Sequence, residues 1–242
     1  QAREVVIKGL KRMEYRGYDS AGIALVNGDL SVTKCKGKVS SLEKLIGKEH
    51  EGNIGIGHTR WATHGAPSDT NSHPHLSTSG KLALVHNGII ENYNALKVQL
   101  EKEGFAFKSE TDTEVAANLI ESVINKNPEL QLEDAVRLAL AQISGAYGFA
   151  IVHKDFPDRI IVARKGSPLL IGIGDGEMLV ASDASAVAEY TDRVVYLDEG
   201  EMAIITKDSY QVLNSKDIEL TKEVHELSVS LEEIEKGGFP FF

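Results

Sequence analysis

Eleven short segments of the chain carry the apolar or alternating pattern of β-strands, at 22–26, 30–36, 54–58, 81–86, 147–153, 160–164, 169–173, 178–182, 194–197, 201–206 and 211–214. Turn residues separate many of them, as in Asn27-Gly28-Asp29, Gly174-Asp175-Gly176 and Asp198-Glu199-Gly200-Glu201. Helical periodicity comes in a block between the strands. Leu96 and Leu100 share a face over 93–103; Val115, Leu119, Ile120, Val123 and Ile124 share one over 112–125; a third helix is expected over 132–143. Strands that follow one another through short turns pair antiparallel, and helices that arrive together cover a sheet face instead of alternating with strands. The expected fold is therefore segregated α+β, two stacked and mainly antiparallel sheets with helices outside, and not a doubly wound parallel sheet.

A chain of 242 residues with 42% hydrophobic content can bury one substantial core. No repeat, low-complexity tract or proline-rich linker divides it, so 1–242 is expected to be a single domain. The net charge of -10 disfavours nucleic acid and anionic membrane as partners, and no apolar run reaches the roughly eighteen residues of a membrane span. A lone cysteine, Cys35, cannot make an internal disulfide, which suits a reducing compartment and gives a cytoplasmic expectation. Strand alternation turns Lys34 and Lys36 away from Cys35, which points to a structural thiol. The first thirteen residues place Val5, Val6, Leu10 and Met13 on one helical face with nothing ahead of them, the look of a chain that has been cut.

The stretch GHTRWATHGAPSDTNSHPH, 57–75, is rich in polar side chains. Ile54 to His58 alternates isoleucine with glycine, a strand with room for another backbone beside it. A long irregular segment over 59–80 follows. Loops longer than about twelve to fifteen residues are mostly lids, binding loops or disordered, and Arg60, Trp61 and His64 at the root of this one favour a binding loop. His58, His64, His73 and His75, with His86 nearby, invite a metal-dependent hydrolase as a rival reading. Against it, the loop offers one aspartate, Asp69, no thiolate and no recognised ligand spacing, and hydrogen-bonding loop histidines explain the same residues.

Asn87-Gly88 is expected to stop the 81–86 strand before the helical block. An ordinary turn explains the pair; the functional reading is an oxyanion site, in which glycine lets its N–H approach a carbonyl and the neighbouring amide adds a second donor. Thr111-Asp112-Thr113-Glu114 fits a capping box, with Thr111 as cap and Glu114 reaching back. Asp112 is not required by the box, so it either faces a ligand or complements the helix dipole.

Eight segments occur in order: Glu14 to Gly22 (EYRGYDSAG), His58 to Pro67 (HTRWATHGAP), Asn71 to His75, His86 to Tyr93 (HNGIIENY), Ser109 to Glu114 (SETDTE), Gly145 to Gly148, Arg164 to Gly172 (RKGSPLLIG) and Ala181 to Ala186. Together they resemble the glutaminase domain, of class II glutamine amidotransferase type, in the glutamine:fructose-6-phosphate amidotransferase family. The likeness spans nearly the whole chain. The first two segments separate it from the amidophosphoribosyltransferases, whose glutaminase domain is the neighbouring alternative.

The resemblance implies an N-terminal-nucleophile hydrolase fold, a four-layer αββα sandwich. Arg60 would hold the α-carboxylate of glutamine and Asp112 its α-ammonium, while Trp61, Thr63 and His64 line a closing loop. Asn87 and the N–H of Gly88 would form the oxyanion hole, and Arg16 would lie near the nucleophile. The family's nucleophile is a cysteine that opens the mature chain in a Cys-Gly-Ile strand and uses its own α-amine as base. Gln1 cannot replace it. The expectation is a domain lacking that first strand and the C-terminal isomerase domains that bind fructose 6-phosphate, inactive by itself. The intact protein would be a homo-oligomer that releases ammonia through a glutamyl thioester and makes glucosamine 6-phosphate for hexosamine biosynthesis. The family uses neither a metal nor a cofactor in this domain.

Overall fold

The computed structural model describes residues 2–47, 50–60 and 66–227, without the side chain of Arg16. Three sheets form within it. The first has strands β1 (Ser20–Asn27), β2 (Asp29–Lys36) and β3 (Ile54–Arg60) in the order β2-β1-β3. The largest is built from β4 (His75–Leu76), β5 (Leu82–Ile90), β6 (Gly145–His153) and β7 (Phe156–Lys165), and is continued by later strands. After β8 (Leu170–Ile173), β9 (Met178–Ala181) and β10 (Arg193–Tyr196), the chain adds β11 (Met202–Ile205), β12 (Tyr210–Leu213) and β13 (Glu219–Leu220) to it, giving β13-β12-β11-β7-β6-β5-β4. The last strand, β14 (His225–Glu226), completes a four-stranded sheet, β14-β10-β8-β9. Every pairing between these strands is antiparallel.

Period-two alternation sorts the side chains into layers. Leu82, Leu84, Phe149 and Ile151 point from the large sheet to helices α3 (Tyr93–Lys102), α4 (Asp112–Lys126) and α5 (Leu132–Leu140). Their neighbours Ala83, Val85, Ala150 and Val152 point the other way, against Ala24, Val26 and Ile56 of the first sheet and Ile171 and Val195 of the four-stranded one. On the far side Ile23 and Leu25 of β1 pack under α1 (Ala2–Met13) and α2 (Val39–Leu45), beside Ile7, Leu10 and Leu42. Helix, sheet, sheet and helix thus stack as the αββα sandwich expected. Each fully buried Leu, Ile or Phe in these layers contributes about 1.5–3 kcal/mol of transfer free energy.

One expectation is corrected and one extended. Asn87-Gly88 does not end its strand: β5 continues to Ile90, paired with β6 throughout. Gly88 makes this possible at φ 132°, where a side chain would run into the Ala146 carbonyl opposite. The glycines of Ile54 to His58 make room for a helix as well as for a backbone, since a Cβ at Gly57 would meet Val6 and Leu10 of α1 while one at Gly55 would meet Leu25 and the Ala24 carbonyl of β1.

Candidate functional site

Both β3 and β9 are edge strands, and their unpaired edges face the same cavity of about 900 Å³. Arg60, Asn87, Gly88 and Asp112, far apart in the chain, all line it. Much of the remaining wall is apolar, from Val6, Leu10, Leu169 and Ile205 among others. A pocket of this size with a few convergent polar groups is the usual form of a small-molecule site.

Arg60 ends β3 and is only 4% exposed. Its Nη1 lies 3.9 Å from Asp19 Oδ1, and the Asp19 N–H donates to the Arg60 carbonyl at 2.8 Å. The anionic neighbour offsets the desolvation of the guanidinium, whose planar fork matches a carboxylate. Asp112 is the first residue of α4, capped by Thr111, whose Oγ1 accepts the Glu114 N–H at 3.4 Å. Glu114 reaches further back than a capping box requires, accepting from Lys108 N, Ser109 N and Ser109 Oγ. The buried Asp112 carboxylate accepts the Ile90 N–H at 2.8 Å, which ties it to the strand that carries Asn87 and Gly88.

His58, His73, His75 and His86 gather beside these groups, held by ring stacking and hydrogen bonds. The His58 and His73 rings stack at 4.4 Å, His75 Nε2 pairs with Thr111 Oγ1 at 3.1 Å, and His86 Nδ1 pairs with Thr113 Oγ1 at 3.2 Å. No group of three His, Cys, Asp or Glu side chains among the described residues converges on a point a cation would occupy. The His86 N–H donates to His73 Nδ1 at 3.3 Å, so the His73 proton sits on Nε2, facing Thr113. Burial pushes the pKa of His58 down to about 4, and those of His73 and His75 well below the ordinary value.

These shifts predict acid sensitivity. The unfolded chain takes up protons on its histidines as pH falls through about 6.5, while the folded state refuses them until about pH 4 for His58. The stabilisation is complete above the unfolded pKa and is lost as pH falls towards the folded one, at no more than about 1.4 kcal/mol per pH unit for each histidine. Urea midpoints should therefore drop steadily from pH 7 to pH 4.5. A flat profile across that range would rule the effect out.

The segment over 66–74 is well anchored. Lys34 Nζ donates to the carbonyls of Ser72 at 2.8 Å, Thr70 at 3.2 Å and Pro74 at 3.3 Å, and burial brings its pKa down to about 8. Cys35, on the opposite face, is buried with Val39 and Leu42; desolvation first, and Asp69 second, push its thiol pKa up. A thiol so placed is a poor nucleophile. Trp61, Thr63 and His64 lie outside the described residues, as does the side chain of Arg16, whose backbone forms a 3₁₀ turn over Glu14–Arg16. Two contributors went unrecognised in the sequence, Asp19 beside Arg60 and Thr113 among the histidines, and His58, noted there only as one of the clustered histidines, meets Asn87 Oδ1 with its Nε2 at 2.8 Å. Thr113 directly follows Asp112 in TDTE, and Asp19 lies in the YRGYDS segment that also carries Arg16, so membership of these motifs is the signal available.

The family model described as a glutamine amidotransferase domain matches residues 46–239. Over its full length the chain is 54% identical to the glutamine--fructose-6-phosphate aminotransferase [isomerizing] of Chlorobaculum tepidum and 53% identical to that of Thermococcus kodakarensis, covering 40% of each. It thus spans about 40% of the length of these curated relatives. Among solved structures, the glutamine phosphoribosylpyrophosphate (PRPP) amidotransferase of B. subtilis, complexed with ADP and GMP, is similar with a TM-score of 0.75 at 30% identity, over 89% of this chain and 47% of that one. An allosteric regulatory enzyme of purine biosynthesis is similar at TM-score 0.74 and 32% identity, over 88% and 46%.

Proposed function

For a chain that belongs to the glutamine amidotransferase domain family, we propose that the cavity binds one glutamine and hydrolyses its side-chain amide. The observation that carries this reading is the convergence of Arg60, Asn87, Gly88 and Asp112 on one cavity. A guanidinium and a carboxylate recognise the two charges of a free amino acid. An amide N–H together with a glycine N–H recognises the charge that develops on a carbonyl oxygen under attack. Trp61, Thr63, His64 and Arg16 complete the substrate site in this reading.

The reaction needs a nucleophile, and Cys35, buried in another layer, is unsuited. The reading assigns it to a cysteine at the head of an added strand lying between the open edges of β3 and β9, where the cavity has an apolar lining on both sides. The cysteine α-amine, with a pKa of about 7.7–8.0, takes the thiol proton as sulfur attacks the amide carbon. Asn87 and Gly88 hold the oxyanion. Collapse breaks the C–N bond, the proton passes to the leaving ammonia, and water then cleaves the thioester to glutamate. Residues 1–242 form one glutaminase unit in this reading, and the intact cytoplasmic enzyme passes ammonia to fructose 6-phosphate held by further domains. Identity above 50% to relatives named for that sugar phosphate favours this acceptor over phosphoribosyl pyrophosphate, named in a structure at 30%.

Extending the chain by an N-terminal strand that opens with a free Cys-Gly-Ile and is long enough to run beside β3 before turning into α1 should give release of glutamate and ammonia from glutamine with no metal added. Activity abolished by a chelator would instead support the metal reading. A folded, glutamine-binding protein that forms no glutamate would leave a binding module.

A further inference from the structure

Asn87 can serve an oxyanion only if its amide nitrogen faces the substrate. The two ends of an Asn side chain are nearly isosteric, and rotation about the Cβ–Cγ bond would aim the oxygen at the developing negative charge. Something must therefore hold the amide one way round. The Oδ1 of Asn87 lies 2.8 Å from Nε2 of His58. His58 sits on β3, paired with Gly22 of β1, whereas Asn87 belongs to β5, so this contact joins two different sheets.

We propose that His58 is a positioning residue for the oxyanion site: its Nε2–H holds the Asn87 amide oxygen and so turns the amide N–H towards the reacting carbonyl. The proposal rests on the glutaminase reading above.

Three observations fix the ring for this task. His58 Nδ1 is buried and makes no well-formed hydrogen bond among the described residues, the His86 backbone beside the ring offering at most a weak one, whereas Nε2 faces an amide oxygen at 2.8 Å. A proton on Nδ1 would be poorly placed and would turn a lone pair of Nε2 onto that oxygen, so the proton belongs on Nε2. The ring plane is clamped against His73, 27° from parallel, and His73 is itself held by the His86 N–H and by Thr113. Space around the clamp is tight, since a Cβ at Gly22, opposite His58, would strike the His73 carbonyl. Burial keeps the ring neutral at ordinary pH, with a pKa of about 4. With Nε2 engaged and Nδ1 sealed, neither nitrogen is open to accept a proton from substrate, which separates this role from that of a general base.

The unaltered chain allows a direct test. Nitrogen-15 NMR of the His58 ring should show the Nε2–H tautomer at pH 7, and an Nδ1–H tautomer would overturn the assignment. The second test uses the Cys-Gly-Ile-extended protein. His58→Ala should lower kcat about tenfold with little change in KM, and His58→Gln, which retains an N–H donor, should restore most of it. In an Asn87→Ala background, His58→Ala should cost nothing further, because the group it orients is gone. Losses that multiply in the double variant would overturn the proposal by revealing a general structural role. If His58→Ala does not fold, the Gln variant decides: a folded His58→Gln protein that loses kcat tenfold or more in the presence of Asn87 overturns the proposal, and one that keeps it supports it. An unchanged kcat in Asn87→Ala by itself is a different failure, that of the oxyanion assignment and not of His58.

Discussion

Asn87→Ala in the Cys-Gly-Ile-extended protein is expected to lower kcat by about a hundredfold or more while KM for glutamine stays within a few-fold. The expectation follows from timing. The amide N–H meets no full charge in the bound substrate; it meets one when sulfur adds to the carbonyl, so its contribution is felt in the transition state. Gly88 N–H remains in the variant, which is why activity should fall and not vanish. The stability cost should come mainly from one contact, since Asn87 lies on a half-exposed stretch of β5 and its chief side-chain contact is with His58. Removing the amide leaves His58 Nε2–H without its acceptor, at a cost of about 1–3 kcal/mol where water cannot enter. Steady-state kinetics beside a urea melt separate the two effects. An unchanged kcat would remove Asn87 from the oxyanion site.

How far the amino-acid sequence carried towards this site differs residue by residue. Strands with continuous apolar runs, such as Leu82 to Val85 against Phe149 to Val152, are legible because each face meets its own apolar layer. The two-residue strands β4, β13 and β14 are too short to hold a period, and α2 has one buried apolar pair, Val39 and Leu42, too little to register as a helix. Asn-Gly reads locally as a turn, and only the long-range ladder with β6 keeps β5 running through it. Arg60, Asp112 and Asn87 stood out through motif resemblance, whereas their convergence depends on three separate elements and became visible with the fold. The clustered histidines admit both a ligand reading and the hydrogen-bonding reading preferred above, because composition shows how many there are and not where their lone pairs point. The ring stack, the Thr111 and Thr113 hydroxyls and the Asn87 amide give the partners that His58, His73, His75 and His86 meet.

Arg60→Ala should act on the other kinetic constant, raising KM for glutamine on the order of a hundredfold with kcat within a few-fold. In the proposed pose the guanidinium grips the α-carboxylate, whose charge is the same in substrate, transition state and thioester, so its loss weakens all of them alike. Two charge-assisted hydrogen bonds at about 1.5–3 kcal/mol each set the scale. Arg60→Lys keeps the charge but not the fork, and should fall between Ala and the parent. The Asp19 carboxylate, 3.9 Å from Nη1, complicates the interpretation, because Ala leaves that anion beside the cavity, where it repels the substrate carboxylate. Asp19→Asn in the Arg60→Ala background should therefore recover part of the lost affinity. The decisive comparison uses a glutamine analogue whose α-carboxylate is replaced by a neutral carboxamide. The parent should bind it poorly, and Arg60→Ala should add little further loss, since the contact it removes is already missing. If Arg60→Ala weakens the analogue as much as it weakens glutamine, Arg60 shapes the cavity without holding the carboxylate, and recognition of the amino acid has to be sought in other residues.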